Sequence, residues 1–190
     1  MTDKNVFFWW PDANGNGPDP RDIRANYVRF TLDPKATELD LPQPEILLRQ
    51  DIEFPRIDDR VSMTRHRHSF FDMMAPQLGT DFAAIAPVLG GGYPLYNSLG
   101  HFDHETGELE VYFPGPTHMV QEPVFVPRAD DSPEGDGFLM ALVNNYSTMS
   151  SELHVVDTQN FSVAKAVVKL NLRLRAGLHG NWVDAKELSG

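Results

Sequence analysis

The sequence predicts an all-β fold of antiparallel sheets with one or two short helices. Three observations carry this. Apolar residues alternate with polar ones in run after run, the period of a strand with one buried face. Turns rich in Asp, Asn and Gly separate outgoing runs from returning ones. Helical character is confined to two short stretches, Phe70 to Leu78 and Asp81 to Val88, the second supported by Ala83, Ala84 and Ala86.

The elements follow in chain order. Val6-Phe7-Phe8-Trp9-Trp10 is a strongly apolar strand almost at the first residue. Chain termini are usually polar and frayed, so the expectation is a sheet that continues before Met1. In Tyr27-Val28-Arg29-Phe30-Thr31-Leu32 the residues Val28, Phe30 and Leu32 share one face, and Asp33-Pro34 ends the run. Gly90-Gly91-Gly92 lacks the Lys-Ser/Thr or the strand-to-helix order of a nucleotide loop and reads as a turn. Pro94 to Asp103 and Glu108 to Phe113 form a hairpin around His104-Glu105-Thr106-Gly107, with Gly107 where a positive φ is favoured. Phe138 to Tyr146, Glu152 to Val156 and Ala164 to Leu172 are further strands, the last two joined by Asp157-Thr158-Gln159-Asn160. The outward-and-return pattern suggests an antiparallel unit of roughly 40–50 residues, the size of a propeller blade, with an open sandwich as the other architecture it fits.

Composition narrows the function. A net charge of −11 over 190 residues argues against a nucleic-acid surface, which needs clustered Lys and Arg, and against a basic patch for anionic lipid. The absence of cysteine excludes disulfides, thiolate metal sites and a thiol nucleophile, and fits a cytoplasmic location. No apolar run approaches the ~18 residues of a membrane span. The acidic stretch from Ala129 to Gly137 lacks the alternating carboxylates and distal Glu of a calcium loop.

Seven histidines are the candidates for chemistry: His66, His68, His101, His104, His118, His154 and His179. His66 and His68 alternate along one expected strand face in Arg65-His66-Arg67-His68, where the neighbouring arginines disfavour a cation. His101 and His104 flank the hairpin turn, and His118 and His154 have no companions in sequence. His179 stands in Leu178-His179-Gly180-Asn181-Trp182, among small and apolar neighbours that let an imidazole approach a buried ion. On spacing alone a lone histidine is more often a structural residue than a ligand. Glu53 and Glu122 sit beside prolines in apolar runs; each reads either as an edge-strand charge or as a buried carboxylate that needs a donor. One good donor is the outer N–H of a metal-bound imidazole.

Five segments, in order, resemble the carotenoid cleavage oxygenases, the group that includes lignostilbene dioxygenases. They are Arg29 to Asp33, Glu53 to Asp58, Glu122 to Pro127, Gly137 to Asp157, and Gly177-Leu178-His179-Gly180-Asn181-Trp182. The resemblance implies a seven-bladed β-propeller with a nonhaem Fe(II) held on its axis by four histidines. It implies that residues 1–190 are the C-terminal part of one such domain, about its last three blades. His179 would be the fourth iron ligand, and the other three would precede this chain. Glu53 and Glu122 would orient ligand histidines, both of them expected to be histidines that this chain does not encode. The implied reaction is cleavage of a conjugated C=C bond by O₂ to two carbonyl products. The substrate would be an apolar conjugated molecule, a carotenoid, an apocarotenoid or a lignostilbene-like compound. The chain alone is expected to bind iron poorly and to be inactive. The same resemblance expects the His179 ring to face inward rather than solvent. A non-catalytic β-rich binding module, such as a decayed paralogue that pairs with another chain, is the alternative. On either reading, cut blade edges invite self-association.

Overall fold

The structure, a computed structural model, describes residues 26–37, 40–89, 96–177 and 179–188. The expected strand at Val6 to Trp10 and the turn at Gly90-Gly91-Gly92 lie outside them. Among the described residues the fold is all-β with one short helix, as the alternating pattern predicts.

The chain divides into two compact units, residues 1–52 and 53–190. In the first, β1 (Tyr27–Arg29) pairs antiparallel with β2 (Glu45–Leu48), and Arg29 reaches Glu45 across the pair at 2.6 Å. β1 stops at Arg29, short of the expected Leu32. Asp33 and Pro34 begin a turn there, and the Lys35 amide donates to the Asp33 carboxylate.

Two antiparallel meanders follow, all but the first two residues of β3 within the second unit. One has the order β3 (Asp51–Arg56), β4 (His68–Met74), β5 (Ser98–Asp103), β6 (Leu109–Tyr112). The other runs β11 (Ala164–Lys169), β10 (Ser150–Asp157), β9 (Gly137–Asn145), β7 (His118–Val120), with β8 (Val124–Pro127) also on β9. The β5–β6 and β10–β11 hairpins fall where the turn residues place them, and Gly107 has a φ of +75°. Helix α1 (Phe82–Leu89) matches the expected second helical stretch. The first does not form a helix. Phe70 to Met74 belong to β4, a central strand buried on both faces, and only Pro76–Leu78 make a single helical turn. A continuously apolar run fits both states, and pairing on both sides decided for the strand. His66 precedes β4, so it does not alternate with His68 on a strand.

One core joins the meanders. Phe70 on β4 and Phe125 on β8 stack with centroids 5.0 Å apart and planes 7° from parallel. Leu99, Tyr112, Val120, Leu139, Val143, Val156 and Phe161 fill the space around them. Along β9 the inward Leu139, Ala141 and Val143 alternate with less buried neighbours. Full burial of one such large apolar side chain is worth about 1.5–3 kcal/mol. β11 differs: it is the outermost strand of its meander and leaves Val167 and Val168 exposed. Among the described residues no helix is long and apolar enough to cross a membrane.

Candidate metal centre

An open cleft of about 510 Å³ is lined by Glu53, Phe54, Pro55, Arg56, Glu122 and His179. It gathers all three site residues singled out from the sequence. Three separate parts of the chain build it, and each is held for a local reason.

β3 supplies one wall. Phe54 has a φ of +49°, which a residue with a Cβ rarely adopts. The turn this puts in the strand, just before Pro55, points Glu53, Phe54 and Arg56 into one cleft. The Phe54 ring lies edge-on to His179 and to Tyr96, with centroids 5.5 Å and 6.5 Å apart.

The link between β7 and β8 supplies Glu122, whose side chain is only 6% exposed. Pro123 offers no amide to extend the ladder there. The stretch after β11 supplies His179. It is moored along β10, where the Leu174 amide donates to Ser151 Oγ at 2.8 Å, and then on the β7–β8 link, where the Gly177 amide donates to Gln121 Oε1 at 2.8 Å.

Both oxygens of Glu122 are engaged. Arg56 Nη2 lies 2.9 Å from Oε1 and also donates to the Gly180 carbonyl. His179 Nδ1 lies 3.0 Å from Oε2. Arg56 therefore faces the carboxylate with a full positive charge. A carboxylate so placed only accepts, so His179 Nδ1 carries the proton and donates it. In the neutral ring the lone pair then falls on Nε2. The expectation that Glu122 serves a histidine outside this chain is thus corrected: its partner is His179. Glu53 lines the same cleft, exposed, and makes no bond to His179.

The His179 side chain is 76% exposed, against the expectation of an inward ring. One nitrogen is anchored and the rest of the ring faces the open side of the cleft. Among the described residues no three His, Asp or Glu side chains converge as a metal-binding group. The donors present fit a partial site: one ligand-competent imidazole with its outer N–H fixed.

The other histidines fall into side-chain networks that sequence spacing did not reveal. His154 Nε2 donates to Glu152 Oε2 at 2.8 Å, which leaves Nδ1 to accept from Tyr112 Oη at 2.6 Å. Burial, reinforced by Glu152, pushes the Tyr112 hydroxyl up to about 12. Burial would raise the Glu152 carboxyl too, but bonds from His154 and Asn145 hold it below its ordinary value. His118 lies 3.7 Å from the same carboxylate, and burial lowers its pKa. His101 bonds Glu110 and His68, at 2.9 Å and 3.0 Å, and stacks on Phe70. His104 bonds Ser69 at 2.8 Å and meets His66 edge-on. The residues that sequence reading passed over at the cleft are Phe54, Arg56 and Gln121. Arg56 could have been found as the one cation in the Glu53 to Asp58 segment.

Comparison with known proteins bears on this cleft. Residues 1–184 match the retinal pigment epithelial membrane protein family. Resveratrol cleavage oxygenase 1 of Aspergillus fumigatus is 61% identical over 99% of the chain. Carotenoid cleavage oxygenase 1 of Neurospora crassa is 48% identical over 98% of it. The crystal structure of Pseudomonas brassicacearum lignostilbene dioxygenase superposes with a TM-score of 0.85 at 32% identity, covering 94% of the chain and 36% of that structure. The chain spans 38% of the Aspergillus protein and 36% of the Neurospora protein.

Proposed function

The chain belongs to the retinal pigment epithelial membrane protein family, and on that premise we propose that it is part of a nonhaem Fe(II) dioxygenase that cleaves a conjugated C=C bond with O₂ to two carbonyl products. The observation that carries the reading is the chain of contacts from Arg56 through Glu122 to His179 Nδ1. Glu122, pinned by Arg56, accepts a hydrogen bond from Nδ1 and leaves Nε2 as an exposed nitrogen donor. Carboxylate–histidine pairs of this kind fix ring orientation and make the imidazole a better ligand.

On this reading Glu53 orients a second ligand histidine outside these residues, which accords with its exposed place on the cleft wall. The exposure of His179 has the same origin. The chain is about two-fifths of the relative's length, and the remaining ligands would come from the other three-fifths. The two meanders, one of four strands and one of five, have the make-up of propeller blades; with the β1–β2 pair they would be about the last three of seven.

The residues present have defined tasks. Glu122 accepts the hydrogen bond from His179 Nδ1 and so orients the ring, Arg56 pairs with the other oxygen of Glu122, and the Phe54 ring stands edge-on to the imidazole. Fe(II), when bound, supplies the electrons that activate O₂. The apolar conjugated substrate is proposed to be a hydroxylated stilbene, because the 61% identical relative is named for resveratrol cleavage.

The test uses the complete polypeptide encoded by the reading frame that contains these residues. Loaded anaerobically with Fe(II) and exposed to O₂ with resveratrol, it should give two aldehydes. An apocarotenoid in parallel decides the substrate class. No carbonyl product from either compound would overturn the reading.

A further inference from the structure

Gln121 is buried on the link between β7 and β8, directly before Glu122. Its backbone amide donates to the Leu142 carbonyl of β9 at 3.0 Å, and the preceding Val120 pairs with Val143. The residue is therefore fixed to the second meander. From there its side chain reaches the stretch that carries His179, where Oε1 accepts from the Gly177 amide at 2.8 Å.

The other end of the side chain makes this contact informative. A backbone amide only donates, so the oxygen of Gln121 faces Gly177 and the NH₂ group turns away. Among the described residues Nε2 is buried and meets no acceptor. A buried donor left unpaired destabilises a fold and calls for an explanation. An apolar side chain of the same length would fill the place without that penalty. What it could not supply is the acceptor for Gly177.

Gly177 is matched to the contact. A Cβ built on it would stand 3.0 Å from Gln121 Oε1, so alanine there would push the oxygen away or the chain off it. Gln121 and Glu122 are successive residues, and they grip the stretch two residues apart, at Gly177 and at His179. Ser151 holds it further back, at Leu174. Among the described residues the Gly177 contact is the last hold on the backbone before the imidazole.

We propose that Gln121 is a positioning residue for His179: by accepting from the Gly177 amide it sets the imidazole against Glu122 and Phe54, and so presents Nε2 to the metal. Its action on the metal rests on the iron reading above; its hold on the ring does not.

The experiment compares the complete wild-type polypeptide with Gln121→Met, which keeps the length of the side chain and removes the acceptor. Two quantities are read. Competition with a calibrated chelator gives the Fe(II) affinity. In the metal-free proteins, nuclear Overhauser contact between the His179 and Phe54 rings, whose centroids lie 5.5 Å apart, reports where the imidazole stands. Gln121→Met should bind iron about tenfold more weakly and lose the ring contact. Val156→Ala separates position from stability, because Val156 is a core residue that does not line the cleft. It should keep both the affinity and the ring contact. Wild-type affinity in Gln121→Met, an intact ring contact there, or an equal loss of iron in Val156→Ala each overturns the role.

If Gln121→Met does not fold, Gly177→Ala carries the test, since it disturbs the same contact from the other side. It should weaken iron binding and the ring contact alike, and a variant that keeps either overturns the role. Absence of iron from wild type overturns the proposed function and the action on the metal together. The ring contact of the metal-free proteins then still decides whether Gln121 places His179.

Discussion

Phe54 holds a left-handed backbone, φ +49°, while its ring lies edge-on to His179 with centroids 5.5 Å apart. The strained residue of β3 thus touches the candidate ligand directly, as strain stored at functional sites does. Two substitutions separate the backbone from the ring. Phe54→Ala loses the ring and keeps the strain. Phe54→Gly loses both, and should be more stable than the alanine variant by about 1 kcal/mol in chemical denaturation. An alanine variant at least as stable as the glycine variant would show that the turn carries no strain.

Glu122→Gln leaves one carbonyl oxygen where Arg56 and His179 now share a carboxylate. In the complete polypeptide the iron affinity should drop roughly 10–100-fold. Competition with a calibrated chelator measures it, and an unchanged affinity removes Glu122 from the site.

Asp157 accounts for part of the acid sensitivity. Bonds from Arg128, then from the Gln159 amide and Lys165, outweigh burial and lower its carboxyl to about 2. A depressed carboxyl stabilises the fold above its unfolded value near 4 and loses that contribution as pH falls toward 2. Asp157→Asn should therefore flatten the stability profile between about pH 4 and 2 and lower the plateau above it. Acid unfolding that tracks wild type through this window would be the contrary result.

Gly137 opens β9 where it pairs with Pro127 of β8. A Cβ there would stand 2.2 Å from the Val126 carbonyl oxygen and 2.8 Å from the Phe125 ring. Backbone cannot yield as a flexible side chain does, so Gly137→Ala should cost about 1–3 kcal/mol. Urea midpoints check this, and a change within ~0.5 kcal/mol would contradict the packing described.

β11 is the outermost strand of its meander and exposes Val167 and Val168. We propose that this edge drives self-association of the chain. Light scattering should show a mass that rises with concentration and falls to that of a monomer in Val167→Lys. Concentration-independent monomer mass in wild type sinks the proposal.

The hairpins and the helix at Phe82–Leu89 were legible because turn chemistry and periodicity are local. The stretch from Phe70 to Leu78 was not. Its apolar run fits either state, and only the flanking strands β3 and β5 make it a strand. Glu53, Glu122 and His179 were singled out from the sequence and share one cleft. Which glutamate meets His179 was hidden, because 57 residues separate Glu122 from it and the path depends on how the stretch after β11 crosses the β7–β8 link.

On the proposed function, His179 Nε2 is an iron ligand. Iron stoichiometry of the complete polypeptide after anaerobic loading and desalting tests it most directly, wild type against His179→Ala, with folding of both checked by circular dichroism. Stoichiometric iron is expected in the wild type and its loss in the variant. A folded His179→Ala protein that retains the full complement would contradict it.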